Sequence, residues 1–399
     1  MRNWSGAPTA VVAGDQARRI ASHSRPARLK IAIIGHLKYP IAEPFAGGLE
    51  MHTHLLARHL IAAGHDVTLF AAAGSDSAIN PVIVCSPTGM PTDAVSSVAI
   101  ARAEHRAYEM IIRAVATGGF DVVHNNSLHR LPLTQAHRVR APMVTAFHTP
   151  PFPELEQGVL DRSRSDIRFI AVSEVVRSMW RDIVAVDDVI MNGVELGCFV
   201  PRPEVHQRPV ALWYGRFVPE KGAHLAIAAA RLAGMPLRLV GPQNDAAYWR
   251  DFIAPALGPD VAYLGHLDHA ALAVEIARAS VAIITPRWDE PFGLVVAEAL
   301  ACGTPVAGFN RGALPELLDT ATGRLVPADD IAALARVLPK VASLSRDDCR
   351  RRAVLMCDAR VMIGRYEELY RQLVAESRGH AESRTAVNDG SARSVIAAE

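Results

Sequence analysis

The chain has 399 residues, half of them hydrophobic, with 42 Lys and Arg against 41 Asp and Glu and a formal net charge of +1. That length suits two ordinary domains rather than one, and the charge balance argues against nucleic acid as the default partner. No run approaches the roughly 18 apolar residues of a membrane span, and five scattered cysteines without a C-x-x-C pair read as reduced, small hydrophobes of a cytosolic protein.

Residues 1 to 28 carry five arginines and one aspartate. Their apolar run is too short for a secretory signal, so they are expected to form a disordered basic tail or to reflect a mis-set start; contact with anionic lipid is the competing reading. Order begins at Leu29-Lys-Ile-Ala-Ile-Ile-Gly35, a β-branched run expected as a buried parallel strand. A proline-containing loop, the pair Gly47-Gly48, an amphipathic helix over 49–63 and a strand over 65–71 complete a βαβ unit. Strands are also expected over 121–124, 142–147 and 168–172, which gives one doubly wound domain over 29–190.

Residues 195 to 209 hold three prolines and read as a connection. A second α/β series follows, with strands expected over 210–214, 237–240, 261–264, 281–284 and 305–307, for a second domain over 195–358. A helix near 360–375 closes the ordered chain and is a candidate to pack back on the first domain. Residues 376–399, rich in Ala, Ser and Arg, are expected to be disordered.

Four places carry chemistry. Residues 290–298, Glu-Pro-Phe-Gly-Leu-Val-Val-Ala-Glu, set two carboxylates around a helix start, with Pro291 suited to the first helical position. The helix is apolar almost all round, so Glu298 needs a cleft or a partner, and the free amides at its start form an anion site. At about 1.5 Å per residue the carboxylates lie about 12 Å apart and bracket a diphosphate; an N-cap and a salt-bridged glutamate explain them equally well. Arg216 and Lys221, in Gly215-Arg-Phe-Val-Pro-Glu-Lys-Gly222, follow the first strand of the second domain and suit a diphosphate, or are ordinary surface charges. His148 lies past a strand end before Thr149-Pro150-Pro151, as a site residue or a hydrogen-bonded loop histidine. Gly47 and Gly48 permit close ligand approach or serve as a turn. The fingerprint G-x-G-x-x-G and the motif D-x-D are both missing, against a nicotinamide enzyme and a carboxylate-held divalent ion.

In this order these segments resemble the large group of retaining glycosyltransferases called family 4, over roughly residues 30 to 375. Further matches are Leu49-Glu50 after the glycines, Phe147-His148, Val172-Ser173, Asn192-Gly-Val-Glu195 and Gly303-Thr-Pro-Val306. The resemblance implies a GT-B architecture, two doubly wound Rossmann-like α/β domains facing across a cleft. It implies that Arg216 and Lys221 hold the donor diphosphate, Glu290 the sugar and Glu298 the ribose. Amides at Phe292, Gly293 and Leu294 would meet sugar or phosphate, His148 would approach the sugar, and Gly47 and Gly48 would close over the phosphates. His148, Arg216, Lys221 and Glu290 form the expected catalytic set. One departure is Asn310-Arg-Gly-Ala-Leu-Pro-Glu316, where paired glycines usually precede Pro-Glu; Arg311 is expected to be exposed, with contact to phosphate or sugar as the alternative.

The expected function is metal-independent, cofactor-free transfer of a hexose-type sugar from a nucleotide-diphosphate sugar, UDP-linked before GDP-linked, with retained configuration. The acceptor is a small-molecule, glycan or lipid-linked hydroxyl, in whose choice the loop from His36 to Phe45 takes part. The protein is expected in the cytoplasm, with a peripheral place at the inner membrane face as an alternative, and without nucleic acid. Rival readings are a nucleotide-sugar epimerase or hydrolase of the same fold and a non-catalytic sugar-nucleotide-binding protein.

Overall fold

The computed structural model describes residues 28–203 and 208–396, so the basic segment ahead of Arg28 and the last three residues lie outside the described residues. Strands β1 (Lys30–Ile34), β2 (Asp66–Ala72), β3 (Pro81–Cys85), β4 (Val122–Asn125), β5 (Met143–Phe147), β6 (Arg168–Ala171) and β7 (Asp188–Val189) form a parallel sheet in the order β3-β2-β1-β4-β5-β6-β7. A second parallel sheet holds β8 (Ala211–Tyr214), β9 (Leu237–Val240), β10 (Val261–Tyr263), β11 (Val281–Ile284), β12 (Val306–Phe309) and β13 (Gly323–Val326), in the order β10-β9-β8-β11-β12-β13. The chain thus has the two Rossmann-like α/β domains of the GT-B fold.

The alternation along β1 shows why the sheet is covered on both faces. Ile31 and Ile33 join one apolar cluster with Leu56 and Leu60 of the helix Gly48–Ala62 and with Tyr366 and Tyr370 of the closing helix. Ala32 and Ile34 join another with Tyr108, Ile111 and Ile112 of the helix Ala94–Thr117. A strand apolar at four successive positions, Ile31 to Ile34, needs such cover on both sides. In the second sheet Leu212, Tyr214 and Ile284 cluster with Val296, Ala297 and Leu300, while Trp213, Leu239 and Ile283 cluster with Ile227 and Leu334. Each strand order reverses beside the first strand of its sheet, β1 or β8, and ligand crevices form at the carboxyl ends of strands at such points.

The chain returns to the first domain where Val194 and Asp358 form a parallel bridge, Val194 accepting from the Ala359 amide at 3.1 Å and donating to Cys357 at 2.8 Å. The closing helix, Ala359–Ile396, then lies against the first sheet, with His65 Nε2 2.8 Å from Glu367 Oε1. Its backbone stays helical through most of the segment expected to be a disordered tail, because Ala, Glu and Arg there are good helix formers.

A second correction concerns residues 290–298. The helix spans Leu294–Ala301, so Pro291 lies before it. Gly293 is its N-cap at φ 91°, a left-handed conformation that L side chains resist, and this turn sets the start three residues later than proline placement suggested.

Candidate functional site

A cavity of about 420 Å³ opens between the carboxyl ends of the two sheets. The ten residues expected to bind the donor or take part in catalysis line it: Gly47, Gly48 and His148 from the first domain, and Arg216, Lys221, Glu290, Phe292, Gly293, Leu294 and Glu298 from the second.

The chain leaves β8 through Gly215 and Arg216, turns over Pro219–Lys221 and enters the helix Ala223–Leu232. Lys221 Nζ donates to Glu290 Oε2 at 2.6 Å, and Trp288 Nε1 donates to the same oxygen at 3.1 Å. Lys221 also stands 5.2 Å from the centroid of the Trp288 ring. The guanidinium of Arg216 makes no hydrogen bond or ion pair among the described residues, leaving its five donors for a ligand.

At the helix start, the Leu294 and Val295 amides have no carbonyl one turn earlier to donate to, and the positive end of the helix dipole meets the cavity. Tyr214, at the end of β8, donates its hydroxyl to the Val295 carbonyl and ties this turn to the sheet. Glu298, one turn in, is buried, and burial pushes its carboxyl up to about 8 while the Tyr214 hydroxyl pulls the other way. Gly312 lets the 310–316 loop pack on Glu290: a Cβ there would lie 2.2 and 2.3 Å from the Glu290 backbone N and O. Arg311, expected exposed, is instead partly buried, because its guanidinium donates to the Arg287 carbonyl at 3.2 Å and to Asp329 Oδ2 at 3.3 Å.

From the first domain, a Cβ on Gly48 would lie 2.8 Å from Leu294 Cδ1, so the glycine loop closes on the helix start. His148 is buried, and its Nε2 lies 3.0 Å from Asn126 Oδ1. Burial, with His52 and His124 nearby, holds its pKa well below the usual histidine value. In the loop from His36, His36 Nδ1 lies 3.2 Å from Glu50 Oε1, and the Phe45 ring packs between His54 and His269 at centroid distances of 5.2 and 5.4 Å.

Two further links cross the cleft. Ser173 Oγ donates to the Pro291 carbonyl at 2.6 Å, and Glu316 accepts from the Glu174 and Val175 amides at 3.0 and 2.8 Å, so a carboxylate of the second domain caps a helix of the first. Glu316 was visible only within Pro-Glu, and Trp288 only as an aromatic near Glu290. Asn126, inside an ordinary strand end, carried no sequence signal.

The model of the glycosyl transferases group 1 family matches residues 200–354, and that of glycosyltransferase family 4 matches residues 46–197. The chain is 32% identical over 336 residues to phosphatidyl-myo-inositol mannosyltransferase of Mycobacterium leprae, covering 79% of this chain and 88% of that protein. Among solved structures, sucrose-phosphate synthase from Thermosynechococcus elongatus superposes with a TM-score of 0.73 at 25% identity, over 88% of this chain and all of that one. HepE of Anabaena in complex with UDP and glucose gives 0.69 at 18% identity over 86% of this chain and all of that one, a likeness of fold. With these matches, the chain belongs to the family 4-like, group 1 glycosyltransferases.

Proposed function

We propose that the protein transfers a hexose-type sugar from a nucleotide-diphosphate sugar, UDP-linked before GDP-linked, to a hydroxyl acceptor with retained anomeric configuration and without a metal ion or cofactor. The observation that carries this reading is the convergence of Arg216, Lys221, the helix start at 293–295 and Glu298 on one cavity. Two cations and a helix dipole match a diphosphate, and the neighbouring carboxylate suits ribose hydroxyls.

In this reading the second domain, 195–358, holds the donor, and the first, 29–190, presents the acceptor. Arg216 grips the diphosphate, and Lys221 exchanges Glu290 for a phosphate oxygen, so both stabilise the charge that grows on the leaving group. Glu290, released from Lys221, is free for sugar hydroxyls. Gly47 and Gly48 close over the phosphates, with the amides at Phe292, Gly293 and Leu294 at the sugar or phosphates. The acceptor hydroxyl attacks from the face the diphosphate leaves, and a donor phosphate oxygen takes its proton. The M. leprae relative is named for a phosphatidyl-inositol acceptor and a mannosyl group, so lipid-linked polyol hydroxyls and mannosyl donors belong in the first assays.

The test is incubation with UDP-, GDP-, ADP- and dTDP-sugars, with and without acceptors, in the presence of EDTA, followed by NMR of the product's anomeric proton. Transfer with retained configuration supports the reading. Release or isomerisation of the donor sugar that no acceptor increases would assign a hydrolase or epimerase, and binding without turnover a carrier.

A further inference from the structure

Beneath the cleft floor a buried polar chain leads away from His148. His124, on β4, and His148 both direct Nε2 at a single atom, Asn126 Oδ1, at 2.9 and 3.0 Å. His124 Nδ1 lies 2.6 Å from the Tyr370 hydroxyl of the closing helix. On its other side, Asn126 Nδ2 lies 3.3 Å from Thr53 Oγ1, whose hydroxyl donates to the Leu49 carbonyl at 2.8 Å. His124, Asn126, Thr53 and Tyr370 are all sealed from solvent.

Proton counting orders the chain. A threonine hydroxyl has one proton, and Thr53 directs it at Leu49, so Oγ1 can only accept from Asn126 Nδ2. That turns Oδ1, an acceptor with two lone pairs, toward the two rings, and each ring must then carry its proton on Nε2. His124 Nδ1 is left as the acceptor for the Tyr370 hydroxyl, consistent with their 2.6 Å separation. His148 Nδ1 has no partner among the described residues, yet it is not among the sealed unpartnered atoms, as both nitrogens of His52 are. It opens on the cavity that His148 lines.

We propose that Asn126 is a positioning residue that locks His148 as the Nε2-protonated neutral imidazole, so that His148 presents an acceptor lone pair at Nδ1 and receives a hydrogen bond from a hydroxyl of the bound sugar. The proposal rests on the glycosyltransferase reading for the identity of that hydroxyl and on the buried geometry for the tautomer. The opposite arrangement needs Asn126 turned over and the Thr53 hydroxyl swung from Leu49 to Asn126. His148 would then meet the sugar as a donor.

The test pairs a spectroscopic readout with kinetics. In full-length protein labelled with 15N-histidine, long-range 1H–15N correlations report the tautomer of His148, assigned by its loss in His148→Gln. The wild type should show a single Nε2–H form. Asn126→Ala should mix the two tautomers and lower kcat about tenfold, the scale of one hydrogen bond, with the donor KM within about twofold. Tyr370→Phe, which removes a buried hydrogen bond on the far side of His124, should leave the His148 tautomer and kcat unchanged. An Nδ1–H form in the wild type would overturn the proposal, as would an unmixed tautomer or an unchanged kcat in Asn126→Ala. The wild-type spectrum decides the tautomer even if Asn126→Ala does not fold. A protein with the Nε2–H form that turns over no nucleotide sugar would remove the glycosyl-transfer reading and leave the tautomer lock in place.

Discussion

Lys221 Nζ and Glu290 Oε2 lie 2.6 Å apart across 69 residues of sequence, joining the turn after β8 to the loop after β11. The pair is only partly exposed, 22% for the lysine side chain and 14% for the glutamate, so each charge depends on the other. In the proposed function, the carboxylate takes the place at Lys221 that a phosphate oxygen of the donor takes. On the same reading, removing Lys221 takes away a phosphate ligand and leaves Glu290 facing the diphosphate with the Trp288 N–H as its partner. Lys221→Ala and Arg216→Ala are expected to lower kcat/KM by about 10²–10³-fold, the scale of losing one charge-stabilising group. Glu290→Gln should lose kcat while retaining nucleotide-diphosphate affinity, because it frees Lys221. Steady-state kinetics and titration with the bare nucleotide diphosphate separate these effects.

Glu298 gives stability a measurable pH signature. Its carboxyl is raised from 4.5 to about 8 by burial, so between those values the folded state binds more protons than the unfolded chain. Stability from this group is fully present below pH 4.5 and is lost as pH rises through about 8. Glu298→Gln should remove that fall, and ligand-free Tm followed from pH 5 to 9 should decline less steeply in the variant. If the carboxylate accepts from ribose hydroxyls, donor affinity in the wild type should strengthen as pH rises toward 8, and this dependence should vanish in the variant.

The buried histidines act at the other end of the scale. Burial, with His124 nearby, lowers His52 to about 3, and burial lowers His124 to about 4, against 6.5 for a free ring. Between 6.5 and these values the unfolded chain binds more protons, so stability is present above 6.5 and is lost as pH falls through 4 to 3. His124→Gln should flatten the fall in denaturation midpoint between pH 6.5 and 4.

Ser173 and Glu316 hold the domains together with neutral and charged caps. Ser173 Oγ accepts from the Val176 amide at 3.1 Å while donating to Pro291, so Ser173→Ala loses two hydrogen bonds and should cost about 1–2 kcal/mol. Glu316→Ala should cost about 1 kcal/mol and widen the solution envelope, since the carboxylate bridges the cleft. Urea denaturation and small-angle scattering check the two effects.

The continuous apolar runs of β1, β8 and β11 made both parallel sheets legible, because such strands need cover on two faces. Strand β3 was not, since Val82 and Ile83 sit half exposed on an edge, and β7 is two residues long. The start of the 294–301 helix was misplaced because Pro291 suggested an N1 residue, whereas the positive φ of Gly293 set the boundary. The site's composition was legible in short motifs, but its pairings were not. Nothing local joins Lys221 to Glu290, Glu316 to Glu174 or His148 to Asn126, since each partner comes from the end of a different strand or from the opposite domain.

The central claim, that Arg216 and Lys221 grip a nucleotide-diphosphate sugar, is tested most directly by thermal shift in EDTA with UDP-, GDP-, ADP- and dTDP-sugars on the wild type, Arg216→Ala and Lys221→Ala. Binding to the folded state raises Tm by mass action. At least one donor should raise the wild-type Tm, and the rise should be lost in both variants. No shift with any donor, or an undiminished shift in both variants, would contradict the account.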